Sequence, residues 1–170
     1  MLERISHIGV LVHDLEAAAR FWCETYGLKR YLDYVAECEG LKACLLSPGG
    51  TRDEMSIEII EPLDKTDMGN ALARRLATEG EGFFHLAVIA RDVPSSAAAL
   101  EAGGLTVMHR PPVPGVTGQR WVVHPRSSNG VLVEGVWGLA CRSYQHSRAW
   151  KQESDTAHSP GMLRQADGRG

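Results

Sequence analysis

No apolar stretch in this 170-residue chain approaches the roughly 20 residues that a helix needs to cross a bilayer. The N-terminus also lacks the basic segment followed by an apolar one that marks a secretory leader. These absences exclude a membrane partner from the reading and make a cytoplasmic protein the expectation. Runs of lysine or arginine are missing too: 18 basic and 21 acidic residues are interspersed to a net charge of −3. That mixture leaves no surface for tracking phosphates, so no nucleic-acid partner is expected. Cysteine is scarce. Cys23, Cys38, Cys44 and Cys141 show no C-x-x-C spacing and sit among apolar neighbours. Reduced, mostly buried thiols fit that pattern better than a disulfide scaffold or a cysteine zinc site.

What the chain does have is enough apolar residue, 44%, to bury a core as one domain or as two small modules sharing an interface. It also has an internal repeat. "HIGVLVHDLEAAARFW" from His7 and "HLAVIARDVPSSAAAL" from His85 share a histidine, an apolar run, an aspartate seven residues after the histidine, and a helical stretch. "SIEII", carrying Glu58, is matched by "LVEGV", carrying Glu134, each a lone carboxylate inside an apolar run. The spacings between the paired residues, 78 and 76, are nearly equal, as a tandem duplication requires.

Each half reads as strand, helix and further strands. In the first, residues 5–12 are strand-like, and Asp14 stands at the N-cap of "LEAAARFWCETY" with Gly27 closing the helix. "ACLLSP" and "MSIEIIEP" follow as strands joined by the turn-rich "GGTRDE". The second half has a strand at 84–90, a helix from Val93 started by Asp92 with Pro94 in its first turn, a Gly103–Gly104 stop, and strands near 105–109, 119–124 and 130–137. "MGNALARRLATEGEG" reads as a helical connector. The expected boundaries are a first module at 1–66, the connector at 67–82, a second module at 83–138, and a polar tail at 139–170 that loses periodicity and is expected to be largely disordered or held by a partner subunit.

The four repeated residues carry the chemistry. Pseudo-symmetry would bring His7 and Glu58 from one half to His85 and Glu134 from the other. Two imidazoles and two carboxylates suit a divalent first-row ion such as cobalt, manganese, nickel or zinc, and octahedral geometry would leave two positions for water or a chelating substrate. A lone histidine or glutamate in a strand is usually structural, but recurrence at matching places in both halves is not explained that way. His13, His109, His124, His146 and His158 lack such partners and are read as surface or hydrogen-bonded residues.

Over the segments "HIGVLVHDLEAAARFWCETYGL", "SIEIIEPL", "GEGFFHLAVIARDV" and "VVHPRSSNGVLVEGV", the chain resembles the vicinal oxygen chelate superfamily (glyoxalases, bleomycin resistance proteins and dioxygenases). Within it the chain is most similar to the methylmalonyl-CoA epimerases. The resemblance implies an α+β fold of paired βαβββ modules forming a cupped mixed sheet around a metal site, with His7, Glu58, His85 and Glu134 as the ligands. It implies a metal-dependent epimerase that moves the α-proton of an acyl-CoA-type small-molecule substrate, with Glu134 and Glu58 as the catalytic carboxylates. Two departures stand out. Glu58 occupies a position that is glutamine in many of these epimerases, and Ala43 stands where several carry a glutamate base. Glu58, Glu37, Glu39 and Lys42 remain as candidates for the second acid–base group.

Alternative readings use the same cup: a glyoxalase-like isomerase or an epimerase of a hydroxy-ketone or cyclitol, an extradiol-type dioxygenase, and a non-catalytic binding protein. A fourth ligand argues against the dioxygenase, and an intact ligand set argues against the binding protein. Arg120 and Arg126 are candidates for meeting a carboxylate or a CoA phosphate, although surface arginines usually do neither. Trp22, Trp121 and Trp137 are expected in the core. Small modules with open sheets tend to pair, so a homodimer is expected.

Overall fold

The structure, a computed structural model, describes residues 2–113 and 115–137. The polar tail at 139–170, with Cys141, His146 and His158, lies outside the described residues. The first half runs β1 (Leu2–Leu11), α1 (Leu15–Tyr26), β2 (Lys29–Ala36), β3 (Leu41–Ser47) and β4 (Ser56–Pro62). After α2 (Ala71–Glu79), the second half repeats the order with β5 (Gly82–Ala90), α3 (Val93–Ala102), β6 (Val107–Arg110), β7 (Arg120–Val123) and β8 (Val133–Trp137). Each half is therefore a βαβββ unit, and the α+β fold expected from the sequence is the one observed.

The helices start where the sequence signals place them. Asp14 accepts the Ala17 N–H at 3.0 Å and Asp92 accepts the Ser95 N–H at 2.9 Å. Each side chain satisfies a donor that the first helical turn leaves free. At the other end of α1, Gly27 takes φ = 71°, a left-handed conformation that costs glycine little.

All eight strands form one mixed sheet in the order β2-β3-β4-β1-β5-β8-β7-β6. The order is symmetric about the antiparallel seam between β1 and β5, and in each half the first strand runs parallel to the last, β1 beside β4 and β5 beside β8. The two-residue period of a strand then divides the side chains between two faces. Ile59 of β4, with Cys44 and Leu46 of β3, packs with Leu15 and Ala19 of α1. Val88 and Ala90 of β5, with Trp121 and Val123 of β7, pack with Val93 and Ala97 of α3. On the opposite face Leu11, Ala43 and Ile60 pack with Leu72 and Leu76 of α2. His7, Glu58, His85 and Glu134 line a cavity on that face.

Two residues differ from expectation. Trp121 is buried at 1% exposure but Trp137 is 48% exposed, because it is the last residue of β8 and pairs with Ala90 at the very end of the ladder. Cys38 is exposed rather than buried, since it sits in the short 3₁₀ turn Glu37–Glu39 between β2 and β3. Among the described residues, no helix is long and apolar enough to cross a membrane.

Candidate metal centre and its cavity

The four residues singled out by the repeat come from the four central strands, β4, β1, β5 and β8. The register places Gly9 beside both Glu58 and His85, and Ala87 beside both His7 and Glu134. Each half thus offers one imidazole and one carboxylate to the same point. A side chain at position 9 would collide with the site, because a Cβ there would stand 2.5 Å from the His85 ring.

The donor atoms converge closely. His7 Nε2 and His85 Nε2 are 3.0 Å apart. Glu58 Oε2 lies 3.5 Å from His7 Nε2 and 3.4 Å from His85 Nε2, and Glu134 Oε2 lies 3.7 and 3.4 Å from the same atoms. Ligand atoms about 2.0–2.2 Å from one ion stand at such separations when they subtend angles of about 90–120°. His7, His85 and Glu134 form a group whose ligand atoms all lie within 4.8 Å of one another; Glu58 stands outside that group, with Oε2 within 3.5 Å of both histidines.

All four residues are at most 7% exposed, so their charges interact with little screening. Burial works against a charged His7, but the Glu58 and Glu134 carboxylates overcome it and push the imidazole up to about 10. Burial also opposes charge on Glu134, and its hydrogen bond to His7 together with the neighbouring positive charges outweighs that, bringing it to about 2. Glu58 is likewise held below the usual carboxylate range, burial being outweighed by His7. Desolvation dominates at His85 and keeps that imidazole neutral. Two ionised carboxylates buried at one point need compensating positive charge, which the His7 imidazolium and Arg120 supply; the donor set also fits a divalent first-row ion.

A second layer orients the donors. Ser6 Oγ meets His7 Nδ1 at 3.2 Å, leaving Nε2 for the centre. The Tyr34 hydroxyl donates to Glu58 Oε1. Burial and the Glu58 charge raise that phenol well above its ordinary value, so it stays a donor. Arg120 Nη1 donates to Glu134 Oε1 at 2.8 Å, so each carboxylate has one oxygen tethered and one turned to the histidines.

Sequence reasoning missed Tyr34 altogether; it named Arg120, with Arg126, as a candidate for meeting a carboxylate or a CoA phosphate, without linking it to Glu134. Arg120 is buried at 8% exposure. Its strand position carries the signal: β7 pairs with β8 through Val122 and Glu134, which puts Arg120 diagonally beside Glu134 on one face. Ala43, 2% exposed, is packed in the apolar cluster with Leu41 and Ile60, against which Tyr34 lies. No carboxylate enters the site from that position. Of the other candidates for the second acid–base group, Glu39 lines the cavity and Lys42 is paired with Glu61 at 2.9 Å.

The cavity around the centre has a volume of about 600 Å³ and is walled by both halves and by α2. Beyond the four donors it presents Arg75 and Arg110, the aromatic rings of Phe83 and Phe84, and His124. That is room for a small acyl group with part of a longer carrier.

Comparison with known proteins agrees with the fold. Residues 6–123 match the model of the glyoxalase/bleomycin resistance protein/dioxygenase superfamily. A Streptomyces coelicolor methylmalonyl-CoA epimerase in complex with 2-nitronate-propionyl-CoA is 32% identical, with a TM-score of 0.72, covering 82% of this chain and 100% of that one. A methylmalonyl-CoA epimerase in complex with methylmalonyl-CoA and NH4+ is also 32% identical, with a TM-score of 0.71 over 82% of this chain and 97% of that one. The Mycobacterium tuberculosis methylmalonyl-CoA epimerase shares the fold at 23% identity and a TM-score of 0.71, over 80% and 88% of the two chains. A search of curated proteins found no match. With the match spanning most of both βαβββ units, this chain belongs to the glyoxalase/bleomycin resistance protein/dioxygenase superfamily.

Proposed function

We propose that the protein is a metal-dependent epimerase that moves the proton on the carbon next to the carbonyl of an acyl-CoA-type substrate. The observation that carries this reading is the convergence of His7, His85 and Glu134 at one buried point facing the cavity, with Glu58 within 3.5 Å of both histidines. His7, Glu58, His85 and Glu134 would hold a divalent ion, with cobalt, manganese, nickel and zinc as the candidates. Such an ion supplies electrophilic stabilisation of negative charge developing on a carbonyl oxygen. Similarity to epimerases that bind acyl-CoA ligands supports the substrate class.

Inversion at a carbon needs an acid–base group on each side of it. Glu58 and Glu134 are the two carboxylates at the centre, each with an oxygen within 3.7 Å of both histidines. They differ in what holds the outer oxygen. At Glu134 it is a guanidinium, which never gives up its proton; at Glu58 it is a neutral hydroxyl, which leaves that carboxylate without a compensating positive charge on its outer side. Phe83, Phe84 and Leu132 line the cavity with the four donors and reduce water access to the reacting carbon.

The apolar packing of Ala43 favours a second reading, in which the same residues isomerise a hydroxy-ketone as glyoxalase-like enzymes do, because the proton is then handled by the ligand carboxylates alone. Incubation of cobalt-loaded protein in D₂O with a single enantiomer of methylmalonyl-CoA separates the two. Deuteration at C2 with inversion, abolished in Glu134→Gln and in Glu58→Gln, is the expected result. Absence of exchange in protein that retains its metal would overturn the acyl-CoA reading and leave the hydroxy-ketone.

A further inference from the structure

Arg120 is almost wholly buried, yet its hydrogen-bonding capacity is not used up. Nη1 is committed to Glu134, and Nη2 donates to Glu39 Oε1 at 2.6 Å and, at 3.3 Å, to the Pro111 carbonyl. Nε is buried without an acceptor among the described residues. The Thr117 hydroxyl, three residues earlier, is buried and unpartnered in the same way. Both residues line the cavity that contains the histidines. Buried donors are nearly always paired in folded proteins, so two unpaired ones on the wall of one cavity point to an acceptor that arrives with a ligand.

The shape of the guanidinium identifies that acceptor. Nε and one Nη nitrogen form an edge whose two parallel N–H bonds match the two oxygens of a carboxylate. Glu39 is bound to Nη2 only. It stands on the 3₁₀ turn Glu37–Glu39, with its side chain 18% exposed, whereas Glu134 is fixed inside β8. A third carboxylate entering beside both glutamates would set three anions around one cation. Exchange for Glu39 keeps the charge balance and satisfies Nε as well.

We infer that the free edge of Arg120, with the Thr117 hydroxyl on the same wall, is a carboxylate subsite at which a carboxylate of the substrate displaces Glu39. The substrate is then a carboxylic acid as well as a carbonyl compound. Only the carbonyl half of that description rests on the proposed epimerase reading.

The test is calorimetric titration of the cobalt-loaded protein and its variants with malonate, with metal content measured in each. Arg120→Lys keeps the charge but removes the fork, and it should weaken malonate binding at least about tenfold. Thr117→Val should weaken it several-fold. Glu39→Gln should tighten it, because the competing carboxylate is gone. If Glu39→Gln binds no better than wild type, or Arg120→Lys binds as well as wild type, malonate is held elsewhere and the inference falls. It falls too if wild type shows no saturable binding at millimolar malonate. Malonate binding with this pattern, in protein that exchanges no α-proton of methylmalonyl-CoA, would overturn the epimerase reading and leave the subsite standing.

Discussion

At the scale of single residues, the smallest group near the centre has the least freedom to change. A methyl group added at Gly9 would lie 2.5 Å from Nδ1 and Cε1 of His85, so Gly9→Ala must push the imidazole out of line with its partners. Misoriented ligands and lost second-layer contacts typically cost about 10–100-fold in metal affinity, and a cobalt titration of this variant should fall in that range. Tyr34→Phe removes the only hydrogen bond that Glu58 Oε1 receives among the described residues and should weaken cobalt by about tenfold, with the thermal midpoint of the metal-free protein little changed. The four donors were legible in the sequence because each has a counterpart in the other half. Tyr34 was not, and Arg120 was legible only as a candidate for meeting some carboxylate or phosphate, since each belongs to one half and only the folded register brings them to Glu58 and Glu134.

At the scale of elements, the start of α1 shows how a helix is tied to the sheet. Glu61, at 6% exposure, accepts the Leu15 N–H at 2.8 Å and is paired with Lys42 and Lys65 at 2.9 and 2.6 Å. Burial opposes its charge, but these partners together hold the carboxyl below its usual range. A group whose value is depressed on folding stabilises the native state above its unfolded value, near 4.3 for glutamate, and that contribution is lost as pH falls through the folded value. Glu61→Gln should therefore lower stability by about 2 kcal/mol at pH 7, and the difference from wild type should vanish in thermal melts taken well below pH 4. Most elements were readable because Asp14, Gly27 and Asp92 punctuate them and the strands between are apolar. β2 was not, because the edge strand "KRYLDYVA" carries Lys29, Arg30 and Asp33 and leaves much of its length exposed. Charge of that kind discourages edge-to-edge pairing and disguises the strand.

At the scale of the molecule, β1 and β5 form the seam between two repeats, and the proposed ion would be held by two residues from each side of it. Binding to the folded protein alone stabilises it by about 2.7 kcal/mol when the free metal is at 100 times its dissociation constant. Chelation with EDTA should lower the thermal midpoint of the metal-loaded protein, and His7→Ala and His85→Ala should abolish the difference between chelated and metal-supplemented samples. The duplication itself could be read from spacing alone, whereas the sheet order could not, because parallel pairing of β1 with β4 and β5 with β8 depends on contacts far apart in sequence.

That strand order also separates two tasks. The donors come from the middle four strands, β4-β1-β5-β8, while Tyr34, Ala43 and Arg120 stand on the outer strands β2, β3 and β7. Substitutions of outer-strand residues that line the cavity without holding a donor, such as Leu41, Met108 and Arg110, can redraw its walls without moving a ligand, whereas Tyr34 and Arg120 each hold a carboxylate of the centre. A scaffold arranged in this way can diversify its choice of substrate while its chemistry at the centre is inherited unchanged.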